Sequence, residues 1–216
     1  MAATLTDPLK RLRDCRACPR LVAHHAQIRQ RYPTYHAAPV GAWGTANPHL
    51  LMVGLAPGLH GAARTGRAFV GDASGRFLFA SLMRTGWAVQ DTSARVRLVK
   101  ARITNVVKCL PPGNAPQTSE IANCSGYLSA ELAAFCPLRA RKPRVVLAFG
   151  GLAHRTVCRA LGLRNARFSH AGQWRVHRHL TLVASYHPSR LNVNTGRLTP
   201  AMLDAVFEQV RRSLEV

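Results

Sequence analysis

Four apolar runs of strand length stand far apart in the chain: HLLMVGL around Leu50 to Leu55, RITNVV around Ile103 to Val107, RVVLAFG at Val145 to Phe149 and LTLVASY at Leu180 to Ala184. Three are rich in β-branched residues, which suit strands. Between them apolar residues recur at helical spacing: Phe77, Leu78 and Leu82 after Ser74; Ile121, Leu128, Leu132 and Phe135; Leu152, Val157 and Leu161. That alternation argues a mostly parallel sheet covered by helices. A chain of 216 residues is long enough for one sizeable core and too short for two ordinary domains. The sequence therefore predicts a single α/β domain over residues 1–216, a three-layer αβα arrangement about a central, mostly parallel four-stranded sheet.

The ends of the chain are helical by the same reasoning. From about Pro8 to Arg31, Leu9, Leu12, Leu21, Val22 and Ile28 recur at roughly helical intervals, with an interruption expected at Cys18-Pro19. The last helix is the clearest: Thr199 caps, Pro200 takes the first helical position, and Leu203, Val206, Phe207, Val210 and Leu214 form one stripe. Tyr32 to Pro48, rich in Pro, Gly and small residues, reads as a long surface connection. No apolar run reaches membrane-spanning length, and MAATLTDPLKRLRDC lacks the apolar stretch of a signal peptide. A soluble, cytoplasmic protein with no membrane partner is expected, associated with the nucleoid if its ligand is DNA.

Charge narrows the partner. Thirty Lys and Arg face nine Asp and Glu, a formal net charge of +21. A preference for Arg over Lys would exchange one base for another without removing acids, so the excess points to a polyanion. The basic residues are spread along the chain, so the fold itself builds the basic surface.

In open parallel sheets ligands bind beyond the carboxyl ends of the strands. The first run ends in GLAPGLHGA, Gly54 to Ala62, which lets backbone approach a ligand closely. The second carries Asn105, and the fourth ends in Tyr186-His187-Pro188-Ser189. Phe69 and Asp72 lie in GRAFVGDASG, just before the helix beginning near Ser74. Each residue has an ordinary reading too: a tight turn for the glycines, a core ring for Phe69, a helix cap for Asp72 and a surface turn for His187. Cys15 and Cys18 form a C-x-x-C, while Cys109 and Cys124 come later, separated by LPPGNAPQTSEIAN. Four thiols could converge on one metal, but this is not the paired-knuckle spacing of a zinc ribbon, and all-thiolate ligation suits zinc and iron-sulfur clusters alike. Disulfides are not expected in an intracellular protein, and Cys136 and Cys158 read as buried structural residues.

CRACPRLV at Cys15 to Val22, GLAPG at Gly54 to Gly58, RTGRAFVGDASG at Arg64 to Gly75, TNVVKCLPPGN at Thr104 to Asn114, Cys124 and SYHPSRLNVNTGRLTP at Ser185 to Pro200 occur together and in order. In these segments, which span almost the whole chain, the sequence resembles the iron-sulfur uracil-DNA glycosylases, most closely their type-b or family 5 branch. The resemblance implies a base-excision repair enzyme that hydrolyses the N-glycosidic bond of uracil, with hypoxanthine and xanthine as further substrates, in double- or single-stranded DNA, acting as a monomer. It implies that Cys15, Cys18, Cys109 and Cys124 hold a structural 4Fe-4S cluster. It further implies that Phe69 stacks on the flipped base, that Asn105 bonds its pairing edge beside Gly54, Leu55 and Ala56, and that His187 stands over the leaving base with Asp72 as the acidic residue. Ser189, Arg190, Leu191 and Asn192 are placed to contact DNA and wedge into the gap left by the flipped nucleotide. Departures are visible: Leu55 stands where family 4 enzymes carry Glu, Ala63 replaces an Asn expected in close relatives, and the KRRIH insertion of the DNA-crosslinking relatives has no counterpart. Two alternatives remain open at this point: a family 4-like enzyme strict for uracil, and a non-catalytic metal-bound nucleic-acid-binding module.

Overall fold

The structure, a computed structural model, describes residues 11–92, 96–137 and 141–215. Among the described residues eight strands form: β1 (Trp43–Gly44), β2 (Leu50–Gly54), β3 (Ala88–Gln90), β4 (Val96–Leu98), β5 (Ala101–Asn105), β6 (Arg144–Phe149), β7 (Gln173–His177) and β8 (Leu180–Ser185). The helices are α1 (Pro19–Arg31), α2 (Ala62–Thr65), α3 (Ala73–Arg84), α4 (Thr118–Phe135), α5 (Gly151–Ala160), α6 (Arg190–Asn194) and α7 (Pro200–Arg212). The main sheet has six strands in the order β1-β5-β2-β6-β8-β7.

The four predicted strands are its centre, β5-β2-β6-β8, all parallel. The expected count of four is corrected by two antiparallel edge strands, β1 on β5 and β7 on β8. Neither has the continuous apolar run of a doubly covered strand: β1 is two residues long, and Gln173 and Arg175 of β7 are exposed or half-buried. β3 and β4 pair separately as a two-stranded ribbon.

Alternation along the central strands makes the layers. Leu50 and Met52 of β2, Val145, Leu147 and Phe149 of β6 and Val183 of β8 face one core with Leu78 and Leu82 of α3 and Leu203, Val206, Phe207 and Val210 of α7. Leu51, Val53, Val146, Ala148, Leu180 and Leu182 face the other, with Leu21 of α1, Leu128 and Leu132 of α4 and Val157 of α5. Each fully buried Leu or Val contributes roughly 1.5–3 kcal/mol over an exposed one, so both faces must be covered. The closing helix starts as predicted, with Thr199 Oγ1 accepting from the Met202 amide at 3.2 Å and Pro200 in the first turn.

Two boundaries differ from the sequence reading. The expected helix from Pro8 begins outside the described residues; Leu12–Asp14 form one 3-10 turn, and α1 starts only at Pro19, after an extended Cys18. The chain is thus open where Cys15 and Cys18 lie. Tyr32 to Pro48 is not simply a surface connection: it supplies β1 and buries Ala37, Val40 and Pro48. Its amides at Ala37 and Val40 donate to Ala63 O at 2.9 Å and Lys108 O at 2.7 Å, lacing it to the loops beyond β2 and β5.

Candidate active site

Parallel register brings the ends of β2, β5 and β8 to one edge of the sheet, with Gly54 opposite Asn105 and Phe149 opposite Ser185. A cavity of about 310 Å³ opens there, at the small end of the usual range for ligand sites. Leu55, Ala56, Phe69, Asp72, Asn105 and His187 line it together with Ser189, which the sequence reading assigned to DNA contact. Gly54 lies behind this wall. A Cβ on Gly54 would stand 2.4 Å from Asn105 Oδ1 and 2.6 Å from the Phe69 ring, so only glycine leaves room for both side chains there.

Phe69 is both core and wall. It is 7 % exposed, and its ring lies 5.6 Å from that of Phe149 and 5.7 Å from that of His187. Its φ of +60° is unfavourable for an aromatic residue, a cost of order 1–3 kcal/mol that the surrounding packing offsets. Asp72 likewise joins its two readings. Oδ1 caps α3 by accepting from the Gly75 amide at 2.8 Å, while Oδ2 packs so closely on Gly61 that a Cβ there would stand 2.1 Å away.

His187 follows β8 in a turn held from several sides. Its carbonyl accepts from Asn192 Nδ2 at 2.8 Å. The preceding Tyr186 ring stacks on His170 at 4.9 Å and on the Arg197 guanidinium at 4.6 Å, and the Tyr186 amide donates to His170 Nδ1 at 3.2 Å. Burial lowers the His187 pKa to about 4, and the Asp72 charge opposes this only in part. At neutral pH the imidazole is therefore uncharged, a hydrogen-bond donor at one nitrogen only.

Asn105, 2 % exposed, is held from behind by a buried ion pair. Lys108 Nζ donates to the Asn105 carbonyl at 2.7 Å, to Thr104 Oγ1 at 2.6 Å and to Glu131 Oε2 of α4 at 2.7 Å. Sequence reasoning missed this pair, because a Lys and a Glu 23 positions apart carry no signal that they meet inside the core. It also missed Gly58, Ala62, Ser74 and Asn114, which complete the cavity lining; Asn114 lies in the quoted CLPPGN segment. Ala63 takes no place in the wall: it is 1 % exposed, packed with Ile28, Ala37 and Leu110.

Beyond the His187 turn, Ser189 Oγ caps α6 and accepts from the Asn192 amide at 3.4 Å. Leu191 is 72 % exposed on that short helix, beside an exposed Arg190, whereas the Asn192 side chain is turned inward to the His187 carbonyl.

Cys15, Cys18, Cys109 and Cys124 line a second, narrow cavity of about 20 Å³ between the start of α1, the loop after β5 and α4. Among the described residues no group of three or more His, Cys, Asp or Glu side chains is arranged as the ligand set of a metal ion. The chemistry of the four thiols nevertheless fits a thiolate-bound centre. Burial and then the neighbouring sulfurs push the Cys109 pKa up to about 12, and burial raises Cys124, so ionising this group needs a cation among them. Two N–H donors point at sulfur, the Lys108 amide at Cys124 Sγ (3.3 Å) and Asn123 Nδ2 at Cys18 Sγ (3.5 Å), as around metal-bound thiolates. Cys136 and Cys158 are buried, as expected. No helix among the described residues is long and apolar enough to cross a membrane.

The chain is similar to known proteins over most of its length. The family model described as the uracil DNA glycosylase superfamily matches residues 42–211. A type-5 uracil-DNA glycosylase of Mycobacterium leprae is 42 % identical over 211 residues, covering 92 % of this chain and 90 % of the relative. One of Pyrobaculum aerophilum is 42 % identical over 217 residues, covering 96 % and 91 %. One of Thermus thermophilus is 36 % identical over 211 residues, covering 93 % and 94 %.

Proposed function

The chain belongs to the uracil DNA glycosylase superfamily, and from that premise we propose that it is a DNA glycosylase that excises flipped uracil, and with it hypoxanthine and xanthine, in base-excision repair. The observation that carries the reading is the convergence of Phe69, Asp72, Asn105 and His187 from three segments on one cavity. Phe69 offers a ring face for stacking, and Asn105 offers a donor and an acceptor for the pairing edge of the base. The N-glycosidic bond breaks with its electron pair leaving on the base and an oxocarbenium-like sugar behind. His187, neutral in the cavity, donates a hydrogen bond to the base oxygen where that charge develops, an effect commonly worth roughly 3–4 kcal/mol. Asp72 stabilises the sugar cation or accepts the proton that water loses as it adds to the anomeric carbon.

The four thiols hold a 4Fe-4S cluster in this reading; when bound it supplies a cross-link between α1, the loop after β5 and α4 rather than a step of excision. Arg190 and the exposed Leu191 meet DNA, Leu191 as the wedge, while Asn192 positions the His187 turn. The partner is DNA carrying deaminated bases, duplex or single-stranded, engaged by a monomer. Flipping costs least at a mismatch, so uracil opposite guanine is the favoured duplex substrate. An abasic-site assay on duplexes carrying uracil, hypoxanthine or xanthine tests the proposal: cleavage after excision at all three is expected. Excision of uracil alone limits the enzyme to family 4-like strictness, and no excision overturns the reading.

A further inference from the structure

A second basic feature lies away from the cavity. Arg155 and Arg159, one turn apart on α5, and Arg164 and Arg167 in the following loop line an open groove of about 640 Å³ with Asn165. All four arginines are exposed, and none of the ion pairs found among the described residues involves them. The loop is fixed: Gly162 and Asn165 turn it with positive φ, the Leu163 amide donates to Cys158 O at 2.9 Å, and Leu163 and Ala166 pack on the core. Four exposed arginines thus line one groove, with none of the ion pairs among the described residues neutralising them, an arrangement of like charge that favours the entry of an anion.

The groove is joined to the cavity through the start of α5. A Cβ on Gly150 would lie 3.4 Å from His187 Cβ, and one on Gly151 would lie 3.4 Å from Arg155 Nη1. From that point α5 runs about 15 Å, carrying Arg155 one helical turn from the catalytic edge and Arg159 one turn further, with Arg164 and Arg167 in the loop beyond its end. We propose that this arginine groove binds the phosphodiester backbone of the DNA flanking the excised nucleotide, a sequence-independent extension of the binding surface. Guanidinium groups match phosphate oxygens in a two-pronged fashion, and a row of them suits a chain of phosphates better than a single anion. The inference deepens the glycosylase reading and rests on it.

The test uses the full chain and two double variants, Arg155→Gln/Arg159→Gln and Arg164→Gln/Arg167→Gln, beside a control that removes two exposed charges elsewhere, Arg97→Gln/Arg212→Gln. Binding to an undamaged duplex of about 30 base pairs is measured across salt. Each groove variant should lower the slope of log affinity against log salt by about 1–2, since each phosphate contact contributes about 0.9. The control should change it by less than half as much, and single-turnover uracil excision at saturating protein should stay within about twofold for all. Groove variants indistinguishable from the control overturn the proposal, including the outcome in which the groove serves an acidic protein instead. Wild-type excision, read in the same samples, stands or falls separately and reports on the glycosylase reading alone.

Discussion

His187 and Asp72 divide the work of the cavity unequally. His187 lies in the turn that follows β8, its carbonyl pinned by Asn192 and its ring beside Phe69, so its imidazole is aimed by fixed backbone. His187→Ala should lower single-turnover uracil excision by roughly two orders of magnitude or more with DNA affinity nearly unchanged, the pattern of a group used in the transition state. Near wild-type excision would remove His187 from the mechanism. Asp72 has a structural duty as well, so its substitutions must be chosen with care. Asp72→Ala removes the α3 cap and should cost about 1 kcal/mol of stability as well as rate, whereas Asp72→Asn keeps an oxygen for the Gly75 amide and loses only charge. Slow excision by the Asn variant with an unchanged melting temperature assigns the effect to the carboxylate; full activity assigns Asp72 to capping alone. Both residues were legible in sequence because each stands at the end of a recognisable element. Asn192 was read from sequence as a DNA-contacting residue, since nothing in its neighbours shows that the side chain turns back to His187.

The elements that carry the site are tied together by a buried ion pair, to which the proposed metal centre would add a second clamp. Lys108 and Glu131 join the loop after β5 to α4 in the core, at 0 % and 4 % side-chain exposure. Removing one partner leaves a buried charge, so Glu131→Ala should destabilise by about 3–5 kcal/mol, while a matched replacement of both by apolar residues should restore much of it. Chemical denaturation of the single and double variants checks this; additive losses would show that the two groups do not act as a pair. In the proposed reading the metal-bound thiols would join the same loop and helix to the start of α1. Cys109→Ser or Cys124→Ser should lose bound metal and much soluble protein, with Cys158→Ser mild, and metal analysis of the purified variants decides it. Full metal content in the first two would overturn the ligand assignment. At this scale the central strands and α3 to α5 were readable from periodicity. β1 and β7 were not, because an edge strand open on one side needs no apolar run and takes its identity from the neighbour it pairs with.

For the molecule as a whole, two titrations report on burial and charge. Burial holds both His25 and His187 at about 4, below the ordinary 6.5. The unfolded chain therefore binds more protons than the folded one between about pH 6.5 and 4, so stability is fullest above that window and falls as pH drops through it. Denaturant unfolding at pH 7 and pH 5 should show this loss, and His187→Ala should shrink it; a pH-independent stability over the window would contradict the neutral, buried state of these rings. By itself the sequence determined the α/β class, the parallel centre, the basic surface and the segments that supply Phe69, Asp72, Asn105, His187 and the four thiols. These follow from local physics, the period of burial and the chemistry of residues at strand ends, which a linear chain displays. Only the tertiary structure decided that Gly54 leaves room for Asn105 and Phe69 beside it, that Asp72 is cap and wall at once, that Lys108 finds Glu131, and that four arginines share a groove. Those are contacts between distant segments, and their geometry exists only once the sheet has set the register and the helices have closed over it.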